Sequence, residues 1–168
     1  MLPIRTILHA TDFSEHSAAA FRLASSLARD YGARLIVLHV QPPSVVYGDM
    51  GAYFVAPEGQ SQELMKQLRE LRPESPTVVV DYRLVEGDPV EEILHTARET
   101  NSDVIVLGTH GRKGLGRLLL GSVAEQTVRT APCPVLTVKP TPPNAKSHRE
   151  TAQGEISEAV ERREVVRT

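Results

Sequence analysis

Ile4-Arg5-Thr6-Ile7-Leu8-His9-Ala10, halted at Thr11-Asp12, leads through an alanine-rich stretch to Leu35-Ile36-Val37-Leu38-His39-Val40. The first run is short, apolar and partly β-branched, which predicts a strand. Behind it Ala20, Leu23, Ala24, Leu27 and Tyr31 recur at helical spacing, with Arg22, Ser26 and Arg29 on the other side. Gly32 follows at once and suits a left-handed helix end. The second apolar run stops at Pro42-Pro43. Strand, helix and strand in succession make a βαβ unit, and that unit decides the fold class.

Working outward, residues 41–59 are rich in Gly and Pro, show no clear period, and are expected to form a long loop. Residues 61–72 predict a helix with Leu64, Met65, Leu68 and Leu71 on one side, closed by Pro73 and Pro76. Residues 77–85 predict a strand, and the interleaved Asp81 and Arg83 suit a sheet edge with one solvated face. Gly87-Asp88-Pro89 is a helix start, with Asp88 as N-cap, Pro89 at the first helical position and Glu91 three residues past the cap. Val90, Ile93, Leu94 and Ala97 supply its apolar stripe. The continuous run 103–108 reads as a strand buried on both faces. A glycine-rich loop follows over 109–120, then a helix from Gly121-Ser122 to Arg129. Pro132-Cys133-Pro134 is a break, and 135–138 is a fifth strand. Five strands alternating with four helices predict an open, mostly parallel α/β sheet with right-handed crossovers.

Composition narrows the class further. The chain has 168 residues, and a single domain is expected at this length. Nineteen Lys and Arg against twenty-one Asp and Glu leave a net charge of −2, without the basic footprint of a nucleic-acid binder. The single cysteine, Cys133, cannot form an intrachain disulfide or a multi-cysteine zinc site, which points to a reducing, cytoplasmic setting. No apolar run approaches the ~18 residues of a membrane span. Arg5, Asp12 and Glu15 interrupt any signal-peptide pattern. From 140 onward Pro and mixed charge replace the apolar periodicity. The expected division is a globular unit over 1–139 and a disordered or weakly helical tail over 140–168.

The chemistry is expected in Gly108-Thr109-His110-Gly111-Arg112-Lys113-Gly114-Leu115-Gly116-Arg117-Leu118-Leu119-Leu120-Gly121-Ser122. This stretch leaves the C-terminal end of a buried strand and ends at a helix N-terminus, where open α/β sheets bind ligands. Glycines let backbone N–H groups approach a ligand closely, and a helix N-terminus favours anions. Arg112, Lys113 and Arg117 add positive charge, so phosphate is the natural guest. The P-loop pattern fails, because Arg117-Leu118 stands where Lys-Ser or Lys-Thr is needed. The dinucleotide pattern fails as well, because Leu119 occupies its third glycine position.

What fits is G-x2-G-x9-G-[ST], read as Gly108, Gly111, Gly121 and Ser122. With Thr11-Asp12-Phe13-Ser14, Leu38-His39-Val40 and Ala131-Pro132-Cys133-Pro134-Val135-Leu136, this resembles the nucleotide-binding branch of the universal stress protein family over 3–139. The resemblance implies a doubly wound sheet of order 3-2-1-4-5, like the adenine nucleotide alpha hydrolases, with helices on both faces. It implies ATP between the ends of strands one and four. Asp12 matches the family's ribose-binding acid, and Val40 the position whose backbone holds adenine. Gly108 matches a ribose contact, and Gly111, Gly121, Ser122 and Val123 match the phosphate cradle. Ala10, Thr11, Leu107 and Arg112 flank these positions and complete the expected contact set.

Simpler roles compete with these assignments. Asp12 and Glu15 could form a capping box for the first helix, as could Ser122 and Glu125 for the last. The six histidines form no tight ligand motif, and only His110 lies where it could touch a phosphate. Cys133 is expected to pack as a small apolar residue. The leading expectation is an ATP-binding regulatory or stress-response protein, not a metabolic enzyme, because no nucleophile, metal set or positioned base is evident. Mg²⁺ would ride on the phosphates, and AMP or ADP would satisfy the same cradle. A homodimer through the 135–138 edge strand is expected, partly from the family, with no nucleic-acid or membrane partner. Slow ATP hydrolysis, an ATP-cleaving transferase and a phosphoacceptor receiver are the alternatives. The receiver lacks its second acid beside Asp12, and the transferase lacks a glycine-rich loop after strand one.

Overall fold

The apolar run ending in Val40 is buried on both sides because helices cover both faces of the sheet: Leu35, Ile36, Val37 and Leu38 are all fully buried. The computed structural model describes residues 4–43, 45–48, 51–54, 59–109 and 121–140. In chain order these form β1 (Thr6–Ala10), α1 (Glu15–Tyr31), β2 (Arg34–Gln41), β3 (Val45–Gly48), β4 (Gly51–Phe54), α2 (Gln60–Glu70), β5 (Val80–Glu86), α3 (Pro89–Glu99), β6 (Val104–Gly108), α4 (Ser122–Thr130) and β7 (Val135–Val138). The main sheet runs β5-β2-β1-β6-β7, every neighbouring pair parallel. Numbered within that sheet, the order is 3-2-1-4-5, as expected.

Strand alternation divides the core in two. Ile7, Leu35, Val37, Val104 and Val106 face α1 and α2, meeting Ala20, Phe21, Ala24, Ala28 and Leu68. Leu8, Ile36, Leu38, Ile105 and Leu107 face α3 and α4, meeting Ile93, Ala97 and Val123. Alanines at four-residue intervals let α1 lie close on the sheet. Ser14 Oγ caps its start by accepting from Ser17 N at 3.2 Å. Gly32, at φ 64°, closes its end while Ala33 N donates to Ala28 O at 2.8 Å. Asp88 caps α3 as expected, its Oδ1 accepting from Val90 N and Glu91 N, with Pro89 in the first turn.

The structure corrects several expected boundaries. Residues 41–59 are not a plain loop. They contain an antiparallel hairpin outside the main sheet, pairing Val45 with Phe54 and Gly48 with Gly51. Its β-branched and aromatic runs are only four residues each, too short to stand out between glycines and prolines. The strand expected from 77 begins at Val80, because Val78 N turns back to Ser75 O while Ser75 Oγ and Thr77 Oγ1 share a hydrogen bond. β1 begins at Thr6, where the Asp103 carboxylate accepts from the N–H groups of Arg5 and Thr6. α2 ends at Glu70, where Leu71 turns to extended backbone ahead of Pro73. β5 is an edge strand as its charges suggested, and Arg83 bridges Asp81 and Glu99 beside it. β7 forms the opposite edge. The expected tail lies outside the described residues beyond Pro140.

Candidate functional site

The chain reverses direction across the sheet between β1 and β6, so the C-terminal ends of these strands part to form a crevice. Register fixes who meets there. Ala10 pairs with Leu38 and His9 with Val106. Asp12 lies two residues past the last β1–β2 pair, as Val40 does on β2, and Gly108 lies two residues past Val106 on β6. Thr109 O then accepts from Gly121 N at 2.8 Å, which draws the start of α4 to the same sheet end. Ala10, Thr11, Asp12, Val40, Leu107, Gly108, Gly121, Ser122 and Val123 thus gather at one end of the sheet. Gly111 and Arg112, with His110, Lys113 and Arg117, lie outside the described residues.

The turn carrying Asp12 is heavily tied. Thr11 N donates to Leu38 O at 2.8 Å, extending the β1–β2 ladder past its last pair. Thr11 Oγ1 accepts from Phe13 N and shares a hydrogen with Ser17 Oγ. Asp12 Oδ1 accepts from Ser14 N at 3.1 Å. Phe13 sits at φ 63°, a left-handed backbone that bulky side chains rarely adopt. This corrects the capping-box expectation for Asp12. The helix begins at Glu15, so Ser14 is its cap and Asp12 belongs to the turn before it.

The α4 end is also corrected. Gly121 is the N-cap, no side chain caps the helix, and Ser122 is exposed at its first position. The first intrahelical bond runs from Glu125 N to Gly121 O at 2.8 Å. The N–H groups of Ser122, Val123 and Ala124 therefore have no partner within the helix, and the helix dipole adds partial positive charge there. Glu125 pairs with Arg129 instead of closing a capping box with Ser122. Gly121 N–H is spent on Thr109 O, so the amides left to meet an anion are those after it.

Two residues do more than the sequence suggested. A Cβ on Gly108 would fall 2.8 Å from the His16 carbonyl carbon, so this glycine lets the first turn of α1 ride directly over the end of β6. His16 Nδ1 and Thr109 Oγ1 approach to 3.5 Å across the same contact. Leu107 and Val123, by contrast, turn their side chains into the core shared with Ile105, leaving only backbone for a ligand. Cys133 is half-buried against that core, and burial pushes its thiol pKa up, keeping it protonated. Among the described residues no group of three or more His, Cys, Asp or Glu side chains comes together.

Two concavities among the described residues lie elsewhere. One, of about 690 Å³, runs between α2 and β5 past Met65, Arg69 and Leu84. The other, of about 440 Å³, lies between α1 and residues 70–75. Neither includes a strand end that faces the crevice.

The universal stress protein family model matches residues 3–139. The chain belongs to the universal stress protein family. A universal stress protein of Thermus aquaticus is 36% identical over 139 residues, covering 80% of this chain and 98% of the relative. A solved universal stress protein in complex with cAMP has a TM-score of 0.62 at 24% identity, covering 83% of this chain and 100% of its own. A universal stress protein from Archaeoglobus fulgidus in complex with dAMP has a TM-score of 0.59 at 22% identity, again covering 83% and 100%. These two structural likenesses bear on the fold alone. Among the described residues no helix is long and apolar enough to cross a membrane.

Proposed function

We propose that this chain is a nucleotide-binding regulatory protein that holds ATP in the crevice between β1 and β6. The observation that carries the reading is that Asp12, just past β1, and the start of α4, tied by Gly121 N to Thr109 O just past β6, lie at the same C-terminal end of the two strands that flank the switch point. An ionised carboxylate accepts hydrogen bonds from the vicinal hydroxyls of a ribose. The amides of Ser122 and Val123 face the opposite requirement, a polyanion. The Val40 backbone, near the end of β2, would meet the base, and Gly111 and Arg112 would complete the phosphate side. Relatives of the same fold solved with cAMP and with dAMP support an adenine nucleotide as the guest. Mg²⁺ would arrive on the phosphates.

Regulation, rather than turnover, suits the chemistry described. Asp12 is tied into the β1–α1 turn by Ser14 N, a setting that suits holding a sugar hydroxyl rather than moving a proton. The free edge of β7 suits pairing with a second copy, making the working unit a homodimer in the cytoplasm. Mass spectrometry of nucleotide released from freshly purified protein tests the reading. ATP, or AMP or ADP in its place, is expected at near one per chain, and Asp12→Ala should emerge with about tenfold less bound. Protein that neither carries nor takes up an adenine nucleotide would overturn it.

A further inference from the structure

Of Leu38-His39-Val40, the nucleotide reading uses only the backbone of Val40, and His39 is left without a task. Its side chain is buried, 6% exposed, in the strand beside the Asp12 turn. His39 Nδ1 lies 2.7 Å from Thr11 O. A carbonyl oxygen can only accept, so Nδ1 carries the proton and donates it. The same imidazole packs on Phe13, ring centroids 4.5 Å apart and planes tilted by 42°. Phe13 is the residue held at φ 63°.

We propose that His39 is a positioning residue that holds the β1–α1 turn in the shape presenting Asp12 to a nucleotide. The inference rests on the nucleotide reading above and adds the device that readies the site. Thr11 Oγ1, Ser17 Oγ and Asp12 Oδ1 add side-chain ties within residues 11–17. His39 is a side-chain tie from the neighbouring strand, one residue before the backbone expected to meet the base. It therefore fixes the Asp12 side of the crevice relative to the Val40 side. Without it Thr11 O loses a buried donor and Phe13 loses one of the surfaces it packs on. The turn then samples other shapes, and binding must order it again, which weakens affinity.

The test is ATP calorimetry on the full chain, comparing wild type with His39→Leu and His39→Asn. Leucine fills the space but cannot donate. The asparagine amide places an N–H close to the position of Nδ1–H. His39→Leu is expected to bind about tenfold more weakly, and His39→Asn to recover most of that loss. A purely structural role predicts equal affinity per folded molecule in all three. Wild-type binding with an unaffected leucine variant, or an asparagine variant as weak as leucine, overturns this inference alone. No binding by the wild type overturns the nucleotide reading and this inference with it. Should His39→Leu fail to fold, ¹⁵N spectra of the wild-type imidazole decide: an Nδ1–H tautomer before and after ATP supports the role, and an Nε2–H neutral tautomer in the free protein overturns it.

Discussion

Replacing Gly108 with valine is expected to destabilise the fold by about 3 kcal/mol and to loosen the crevice at the same time. The substituent has nowhere to go. A Cβ would stand 2.8 Å from the carbonyl carbon of His16 and 3.0 Å from its oxygen, both backbone atoms of the first turn of α1. Backbone in a helix that buries Ala20, Ala24 and Ala28 on the sheet cannot step aside cheaply. Either β6 or α1 must move; β6 carries Leu107 and Gly108, and the Asp12 turn leads directly into α1. Urea denaturation should show a lower midpoint with an unchanged slope, because the surface exposed on unfolding is much the same. Alanine at 108 should follow in the same direction with a smaller loss. A valine variant within about 0.5 kcal/mol of wild type would show that the close approach is not what requires glycine here.

Acid should weaken the protein through His9, by about 3 kcal/mol between pH 6.5 and 4. His9 is fully buried on β1, beside the Phe21 ring, with Nδ1 3.0 Å from Val106 O and Nε2 without a hydrogen-bond partner. Burial is the main cause that lowers its pKa from 6.5 to about 4, against smaller opposing effects of the Val106 carbonyl and Asp12. The sign follows from proton counting. Between those values the unfolded chain binds a proton that the native state refuses, so stability falls as pH falls through the window. Below about pH 4 the native histidine is protonated too, and this contribution levels off. Thermal or urea unfolding from pH 7 to 4 should show the slope, and His9→Leu should flatten it. An equal slope in that variant would place the acid sensitivity elsewhere.

Much of the architecture was legible because the informative patterns are local. Apolar runs such as 35–40 identify strands buried on both faces, and Gly32 and Asp88-Pro89 mark helix ends by backbone and capping chemistry within a few residues. The hairpin at 45–54 was not legible, because four-residue strands give too few alternations to separate from a glycine-rich loop. Strand starts were missed where distant or turn contacts decide them, as when Asp103 holds the amides of Arg5 and Thr6.

At the site, spacing named candidates, and the structure gives several of them local tasks that spacing does not show. Ser14 rather than Asp12 caps α1, because the left-handed Phe13 inserts a turn between β1 and the helix. Gly108 reads as a ligand contact in sequence, yet its tightest neighbour is His16, which only the packing of α1 on β6 reveals. His39 reads as one more apolar-strand histidine until Thr11 O is seen beside it. A buried polar residue one step from a strand end was the available hint, since such a group needs a partner.

The most direct measurement is an ATP titration of the full chain followed by ¹H–¹⁵N correlation spectra. Saturable shifts are expected at the amides of Asp12, Val40, Gly108, Ser122 and Val123, with those of Met65, Arg69 and Leu84 in the α2–β5 groove unmoved. Shifts confined to that groove, or none at all, would contradict a nucleotide site between β1 and β6.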